Sequence, residues 1–227
     1  MEAEKTMTTK GLSGATVAEV ALRRHGEVID RPPRISPSSD PEVVKAAQRH
    51  VASLMTTGGQ STPVDPDTID ASAIPEMILS LMGCHPDLYE KVAAVSVALM
   101  AQSRLPRRDL ELVVLRTDWL CQAPYNWGEH VAIAKRFGVT SEEIERVTLG
   151  SEAPGWNDHE RALLRAAEEI HGNAMISDET WATLAATFSD DQMFELIVLV
   201  GQFTLVTGFQ NSLRFRLAGN AQGLLAR

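Results

Sequence analysis

The spacing of the apolar residues is the feature that most constrains how this chain can fold. Between residues 86 and 102, for example, Leu88, Val92, Val95 and Leu99 recur at intervals of three or four, which is the period of one face of an α-helix. No segment sustains the two-residue alternation that is typical of a half-buried β-strand. The sequence therefore predicts an all-α fold, and its 227 residues are ample for a buried core.

Proline, glycine and capping residues divide this pattern into separate helices. Asp40 and Pro41 suit the N-cap and the first position of a helix. Gly138 suits a helix C-terminus, and Thr140 with Glu143 has the spacing of a capping box. The predicted helices cover residues 41–55, 74–82, 86–102, 106–120, 125–137, 142–149, 158–173, 177–188 and a long segment from 191.

Residues 1–39 are predicted to form an N-terminal extension, followed by a single helical domain at 40–227. Three prolines among serines at 31–39 favour extended, weakly ordered chain. We therefore expect the extension to be partly disordered or to embrace a neighbouring subunit. The loop at 56–70 is rich in Gly, Pro, Asp and Thr, and it is expected to be either a lid or a disordered insertion.

Charge and cysteine content argue against several classes of protein. Residues 1–39 contain six basic and five acidic side chains, so 40–227 carries 15 basic and 25 acidic ones, whereas nucleic-acid surfaces cluster Lys and Arg. Cys84 and Cys121 cannot form a disulfide scaffold, and the apolar run at 196–209 is too short to cross a bilayer. We expect a soluble cytoplasmic protein whose partners include neither nucleic acid nor membrane.

One short sequence occurs twice. Glu-Leu-Val-Val-Leu at 111–115 recurs 84 residues later as Glu-Leu-Ile-Val-Leu at 195–199, and the same register pairs Trp119 with Phe203 and His130 with Arg214. The repetition predicts two pseudo-repeated helical halves. Chance similarity between two amphipathic helices is the alternative.

The segment 105–130 is the densest in residues that can carry chemistry. It places Glu111 in the first turns of one helix, Cys121 at the end of that helix, and His130 on the buried face of the next. A carboxylate, an imidazole and a thiol around a semi-apolar pocket could transfer protons, since burial moves the pKa of Glu and His toward neutrality. The alternative is a hydrogen-bonded core histidine and a small buried cysteine.

Signals for metal or phosphate binding are weak. Glu168 and His171 have the Glu-x-x-His spacing of di-iron bundles, but such a site needs the motif twice and two further carboxylates. The Cys and His residues lack zinc spacing, and there is no glycine-rich phosphate loop. The sequence predicts no metal site.

The segment Arg-Thr-Asp-Trp-Leu-Cys-Gln-Ala-Pro-Tyr-Asn-Trp-Gly-Glu-His-Val at 116–131 resembles the signature of the carboxymuconolactone decarboxylase-like family, within the alkylhydroperoxidase D-like superfamily. Flanking pieces at 84–88, 105–112, 138–144, 176–181 and 201–213 resemble it too, so that the likeness covers about 74–217. The resemblance implies an orthogonal helical bundle, assembly into dimers, trimers or hexamers, and catalysis with no organic cofactor.

Two chemistries are implied by this resemblance, and departures from the family pattern bear on the choice. The decarboxylases transfer protons, whereas the peroxidases use a Cys-x-x-Cys pair with a Glu and a nearby His. Here Pro124 stands three residues after Cys121, so the motif has no resolving thiol, and His130 lies two positions beyond the relay position. Cys84 could resolve Cys121 only with Cα atoms within about 7 Å. Asn126 stands where many relatives have Glu.

The sequence thus predicts a cofactor-independent enzyme that catalyses proton transfer, as in decarboxylation or isomerisation, on a small cyclic or carboxylated organic molecule. The predicted catalytic residues are Glu111, His130 and Cys121, and the predicted substrate-binding residues are Trp119, Tyr125, Asn126 and Trp127. Two alternatives stay open: a thiol-dependent peroxidase that uses Cys121, and a non-catalytic helical binding or assembly module.

Overall fold

The structure, a computed structural model, describes residues 16–57, 64–217 and 221–227, and every regular element in these ranges is helical. The α-helices there are α1 (Val17–Val28), α2 (Pro41–Thr57), α3 (Glu76–Cys84), α4 (Pro86–Ala101), α5 (Arg107–Leu120), α6 (Pro124–Arg136), α7 (Ser141–Leu149), α8 (Asp158–Asn173), α9 (Asp178–Ala185) and α10 (Asp190–Leu213). The prediction of an all-α fold is confirmed.

Local capping chemistry explains where these helices begin and end. The backbone N–H of Glu42 donates to Asp40 Oδ1 at 2.9 Å, which caps α2 as the sequence predicts. Thr140 and Glu143 form the predicted capping box at α7. Gly138 follows α6 with φ +83°, a conformation that costs glycine little. The loop prediction at 56–70 is tested only in part, because 58–63 lie outside the described residues and α2 continues to residue 57.

The chain separates into two compact units. Within the described residues, the first unit comprises 16–32, 104–217 and 221–227, and the second comprises 33–57 and 64–103. These divisions differ from the expected boundary at residue 39, and a single domain over 40–227 stays a prediction. In the second unit, α2, α3 and α4 pack around an apolar cluster that includes Ala47, Ile74 and Ile78.

Helix α5 is the centre of the first unit, where α6, α7, α8 and α10 all contact it. Its ten residues Leu110–Trp119 are all buried. The core cluster on one side of α5 includes Leu112, Leu115, Trp119 and Trp127. A helix that is buried on every side must satisfy its polar side chains internally, and this requirement shapes the candidate site.

Helix α1 lies within the predicted N-terminal extension, yet it packs into the core of the first unit. A capping box of Thr16 and Glu19 starts it, and Val20 and Ala21 are wholly buried in the cluster that contains Trp127. Apolar burial of this kind outweighs the weak intrinsic preference of a short helix. The rest of the predicted extension up to residue 15 lies outside the described residues.

Helix α10 extends beyond the apolar run at 196–209 at both ends. Its 24 residues are long and apolar enough, by length and composition alone, to cross a membrane. The core helix of a soluble protein meets the same criteria, and α10 contacts α5, α6, α8 and α9 within the first unit. This finding is weak evidence for a membrane span.

Gly150 supplies a stability test for the packing around α5. Its φ of +93° is strained for other residues, and an added Cβ would meet Glu168 Oε1 at 2.6 Å and Arg116 Nη2 at 2.7 Å. We expect Gly150→Ala to lower the free energy of unfolding by about 2 kcal/mol or more, measured by urea denaturation. Gly172→Ala is the control, since nothing lies within 4 Å of its added Cβ and alanine favours a helix. Equal stability of the two variants would contradict this account.

Candidate active site

The candidate site is built from two layers of side chains that join three helices. On α5, Glu111 and Asp118 are seven residues apart, so both lie on one face, two turns from each other. On α6, His130 and Asn126 are four residues apart and share a face in the same way. The turn between the helices contains Gln122 at φ +49°, and it brings the two faces together.

The first layer contains a buried carboxylate–imidazole pair. Glu111 Oε2 lies 2.8 Å from His130 Nδ1, and both residues are buried. Arg107 Nη2 donates to the other carboxylate oxygen of Glu111 at 3.2 Å. The ring of Phe203 on α10 meets the imidazole edge to face, with centroids 5.1 Å apart. Among the described residues no hydrogen bond reaches His130 Nε2, so this nitrogen is the one that can serve a substrate.

The second layer contains a buried carboxylate held by amides. Asp118 is wholly buried, and Asn126 Nδ2 donates to its two oxygens at 2.9 and 3.0 Å. Gln210 on α10 donates a longer hydrogen bond of 3.4 Å to Asn126 Oδ1. The amides orient the carboxylate of Asp118 without neutralising its charge.

The surroundings of the site change the pKa values of two buried groups, His130 and Asp118. Burial alone would lower the pKa of His130, but the carboxylate of Glu111, with smaller contributions from Asp118 and Glu129, outweighs it and raises that pKa. Burial raises the pKa of Asp118 to about 7, although His130 and Asn126 act in the opposite direction. Groups that titrate near neutrality are suited to general acid–base catalysis.

Cys121 lies at the C-terminal end of α5, as the sequence predicts, but its contacts are on α8 and α10. Its Sγ is 3.9 Å from His171 Nδ1, and the hydroxyls of Thr207 and Thr204 hydrogen-bond it. Burial raises the pKa of the Cys121 thiol, and the nearby Asp118 raises it further. The reactive thiolate is therefore disfavoured.

The predicted substrate-binding aromatics lie in two different environments. Trp119 and Trp127 pack against each other at 5.2 Å within the apolar core, and the indole N–H of Trp127 donates to the carbonyl of Ala226 at 3.1 Å. Tyr125 is half-buried; burial, together with Glu129, raises its pKa to about 12. Of the three side chains, that of Tyr125 is partly exposed to solvent, whereas both tryptophans are buried. Contact with a substrate stays a prediction for all three.

Sequence reasoning missed four contributors to the site: Arg107, Asp118, Phe203 and Gln210. Two of them carried a usable signal. Asp118 is seven residues from Glu111, and Gln210 is 84 residues from Asn126, the same interval as the repeated segment. Arg107 lies on α5 itself, four residues before Glu111, and Phe203 reaches His130 through tertiary packing.

The structure gives no support to a metal centre. Among the described residues no group of three or more His, Cys, Asp and Glu side chains could hold a metal ion. The two carboxylates of the Glu-x-x-His segment have other partners, since Glu168 pairs with Arg116 at 2.9 Å and Glu169 accepts from the backbone N–H of Ser177 at 2.8 Å.

The segment that holds this site is similar to a known protein family. Residues 86–169 match the model of the carboxymuconolactone decarboxylase family. The matched carboxymuconolactone decarboxylase segment contains all seven of the predicted site residues, Glu111, Trp119, Cys121, Tyr125, Asn126, Trp127 and His130. Comparison with curated proteins found no significant match.

Solved structures share the helical fold at low sequence identity. An AhpD-core, peroxidase-related protein from Ralstonia eutropha is 20% identical over 82% of this chain and 93% of its own, with a TM-score of 0.61. The debrominase Bmp8, as a cysteine-to-alanine variant in complex with 2,3,4-tribromopyrrole, is 16% identical over 83% and 93%, with a TM-score of 0.62. A putative antioxidant defence protein AhpD from Agrobacterium tumefaciens is 22% identical over 61% and 96%, with a TM-score of 0.57.

The Glu111–His130 pair predicts a pH-dependent contribution to stability. Because the folded pKa of His130 is raised above 6.5, the stabilisation is complete below that value and is lost as the pH rises through the folded pKa. We expect Glu111→Gln to lower the free energy of unfolding by about 3 kcal/mol at pH 6 and by less at pH 9. Urea denaturation at both pH values measures this. A loss that is the same at both would show that the pair does not hold a proton.

Proposed function

We propose that this protein is an enzyme that catalyses proton transfer on a small cyclic or carboxylated organic molecule, with Glu111 and His130 as the acid/base pair. The observation that carries the proposal is their buried hydrogen bond of 2.8 Å. The proposed reaction is a decarboxylation, isomerisation or related lyase step, and it uses no organic cofactor. The carboxymuconolactone decarboxylase family match supports a small-molecule substrate.

The mechanism follows from the two nitrogens of His130. When Nδ1–H donates to Glu111, Nε2 is an acceptor and can take a proton from the substrate. The imidazolium that forms is stabilised by the carboxylate of Glu111, so the same Nε2 can then return the proton to a different atom. A single group that accepts and returns one proton is sufficient for isomerisation. After loss of carbon dioxide, it can also protonate the resulting carbanion.

Other residues are proposed to bind or orient the substrate. Tyr125 would contact it directly, because it precedes His130 on α6 and is half-buried. Asn126 would act through its hydrogen bonds to Asp118, while Trp119 and Trp127 would fix α5 against α6. A small ring as substrate is supported by the debrominase Bmp8, whose structure holds 2,3,4-tribromopyrrole.

We also propose that the protein is a cytoplasmic homo-oligomer, as a dimer, trimer or hexamer. Apolar side chains on α10 support a contact between subunits, since Phe194 is 69% exposed and Leu205 is 51% exposed. Together with Ile197, which is 40% exposed, they recur along one face of the helix, and a contiguous exposed apolar patch marks a surface that binds other proteins. Light scattering on the purified chain would give the number of subunits.

Turnover of a carboxylated lactone tests the proposed chemistry. With 4-carboxymuconolactone and related five-membered lactone acids as probes, carbon dioxide release and deuterium incorporation from D₂O are followed by NMR. We expect Glu111→Gln and His130→Ala each to lower turnover by about 100-fold or more. Glu195→Gln is the matched control, because Glu195 is the counterpart of Glu111 in the repeated segment. Unchanged turnover in both variants would refute the acid/base pair, and no turnover of any probe by the parent protein would favour a non-catalytic module.

A thiol-dependent peroxidase is the second candidate, favoured by the 3.9 Å contact between Cys121 Sγ and His171 Nδ1. The raised pKa of the Cys121 thiol argues against it, since the thiolate is the nucleophile. We expect alkylation of Cys121 by iodoacetamide, measured in Cys84→Ser protein, to have a pH midpoint above 9. A midpoint below 7, or a sulfenic acid at Cys121 after peroxide treatment of the parent protein, would instead establish the peroxidase.

A further inference from the structure

Asp118 lies near the two groups that could define the chemistry of this site, the imidazole of His130 and the thiol of Cys121. On α5 it follows Glu111 by two turns and precedes Cys121 by three residues, which places all three along one side of the helix. Asn126 holds the carboxylate of Asp118 from α6 and lies four residues before His130 on one face of that helix, so the carboxylate acts electrostatically on the imidazole across the α5–α6 contact. The same carboxylate interacts with the thiol of Cys121.

The hydrogen-bond partners of Asp118 fix the position of its carboxylate but do not neutralise its charge, which stays buried. Asn126 Nδ2 donates to both carboxylate oxygens, and Gln210 supports Asn126 from α10. An amide is neutral, so it cannot offset the cost of burying an ionised carboxylate. The imidazole of His130 interacts electrostatically with Asp118, and protonation of that imidazole compensates the charge of Asp118.

Further charged and titratable groups face this cluster from the elements packed around it. Arg107 on α5 is paired with Glu111, and Glu129 on α6 acts on His130 from an exposed position. Arg24 on α1 favours the thiolate of Cys121, and His171 on α8 contacts the thiol. The α10 residues that contact these groups are the uncharged Phe203, Thr204, Thr207 and Gln210.

We propose that Asp118 is the positioning residue that commits this site to acid/base chemistry, an inference that rests on the proposed function. Its buried carboxylate, oriented by Asn126, favours the protonated imidazole of His130 and opposes ionisation of Cys121. One negative charge therefore has opposite effects on two candidate chemistries. It keeps a proton available at the imidazole, and it keeps the thiol in its unreactive form.

Asp118→Asn tests this proposal, because it removes the charge and preserves the shape of the side chain. The pKa of His130, followed by NMR of histidine-labelled protein and assigned with His130→Ala, is expected to fall by about one. We expect His130 and Asp118 to titrate as a pair in the parent protein and His130 to titrate in a single step in the variant. In Cys84→Ser background, alkylation of Cys121 by iodoacetamide at pH 7 is expected to become about threefold to tenfold faster.

Glu129→Gln is the control, since it removes a carboxylate on the neighbouring helix that is exposed and screened by water. We expect it to change both measurements far less than Asp118→Asn. An Asp118→Asn protein that folds but leaves both unchanged, or that moves the imidazole and the thiol in any other directions, would overturn the proposal. A purely structural role of Asp118 would lower stability without producing these two shifts.

A second variant covers the case in which Asp118→Asn does not fold. Asn126→Ala removes the two hydrogen bonds that favour the ionised carboxylate of Asp118. We expect the same directions at His130 and Cys121 with smaller size, and opposite directions would again overturn the proposal. Neither titration depends on turnover, so the failure of this inference is distinguishable from the failure of Glu111 and His130 as the acid/base pair.

Discussion

The burial of helix α5 on every side is the constraint on which the rest of the first unit depends. Ten consecutive residues, Leu110–Trp119, are buried, and three of them carry ionisable side chains. An unpaired charge in such a position costs several kcal/mol. Each charge is therefore met by another helix: Glu111 by His130 on α6, Arg116 by Glu168 on α8, and Asp118 by Asn126 on α6. Because the buried polar side chains of α5 need these partners, they determine where α6 and α8 pack. The candidate site is one of these contacts.

These three arrangements all provide partners for the buried polar side chains of α5, but they differ in whether they can change protonation near neutral pH. Arg116 keeps its charge at every physiological pH, and its guanidinium also donates to the carbonyls of Val147 and Thr148, so this pair is structural. The Glu111–His130 pair contains an imidazole, which can change its charge near neutrality. Asp118, with a pKa of about 7, shares that property. Of these three arrangements, the Glu111–His130 pair and Asp118 are the ones that can exchange a proton near neutral pH.

Most of the fold could be predicted because its determinants are local. Capping residues such as Asp40 and Thr140 and the glycine at 138 act within one turn of helix, and the elements they delimit agree with the structure. Helix α1 could not be predicted, since Val20 and Ala21 are stabilised by residues more than a hundred positions away. Within the site, Glu111 and His130 were found because they lie in one dense segment. The sequence analysis did not predict Asp118, because an aspartate in a helix is ordinarily exposed to solvent. Its burial becomes evident only from the residues that pack around it.

The repeated segment shows that position in the fold, rather than residue type, gives the carboxylate its chemistry. Glu195 corresponds to Glu111 in the repeat, but it is half-buried and accepts a hydrogen bond from the backbone N–H of Arg104 at 2.9 Å. The counterpart of His130 is Arg214, which ends α10 in the left-handed conformation at φ +60°. An arginine cannot release its proton near neutral pH. The proposed proton transfer needs a buried carboxylate beside a partner that can titrate, and of the two copies the first meets both conditions.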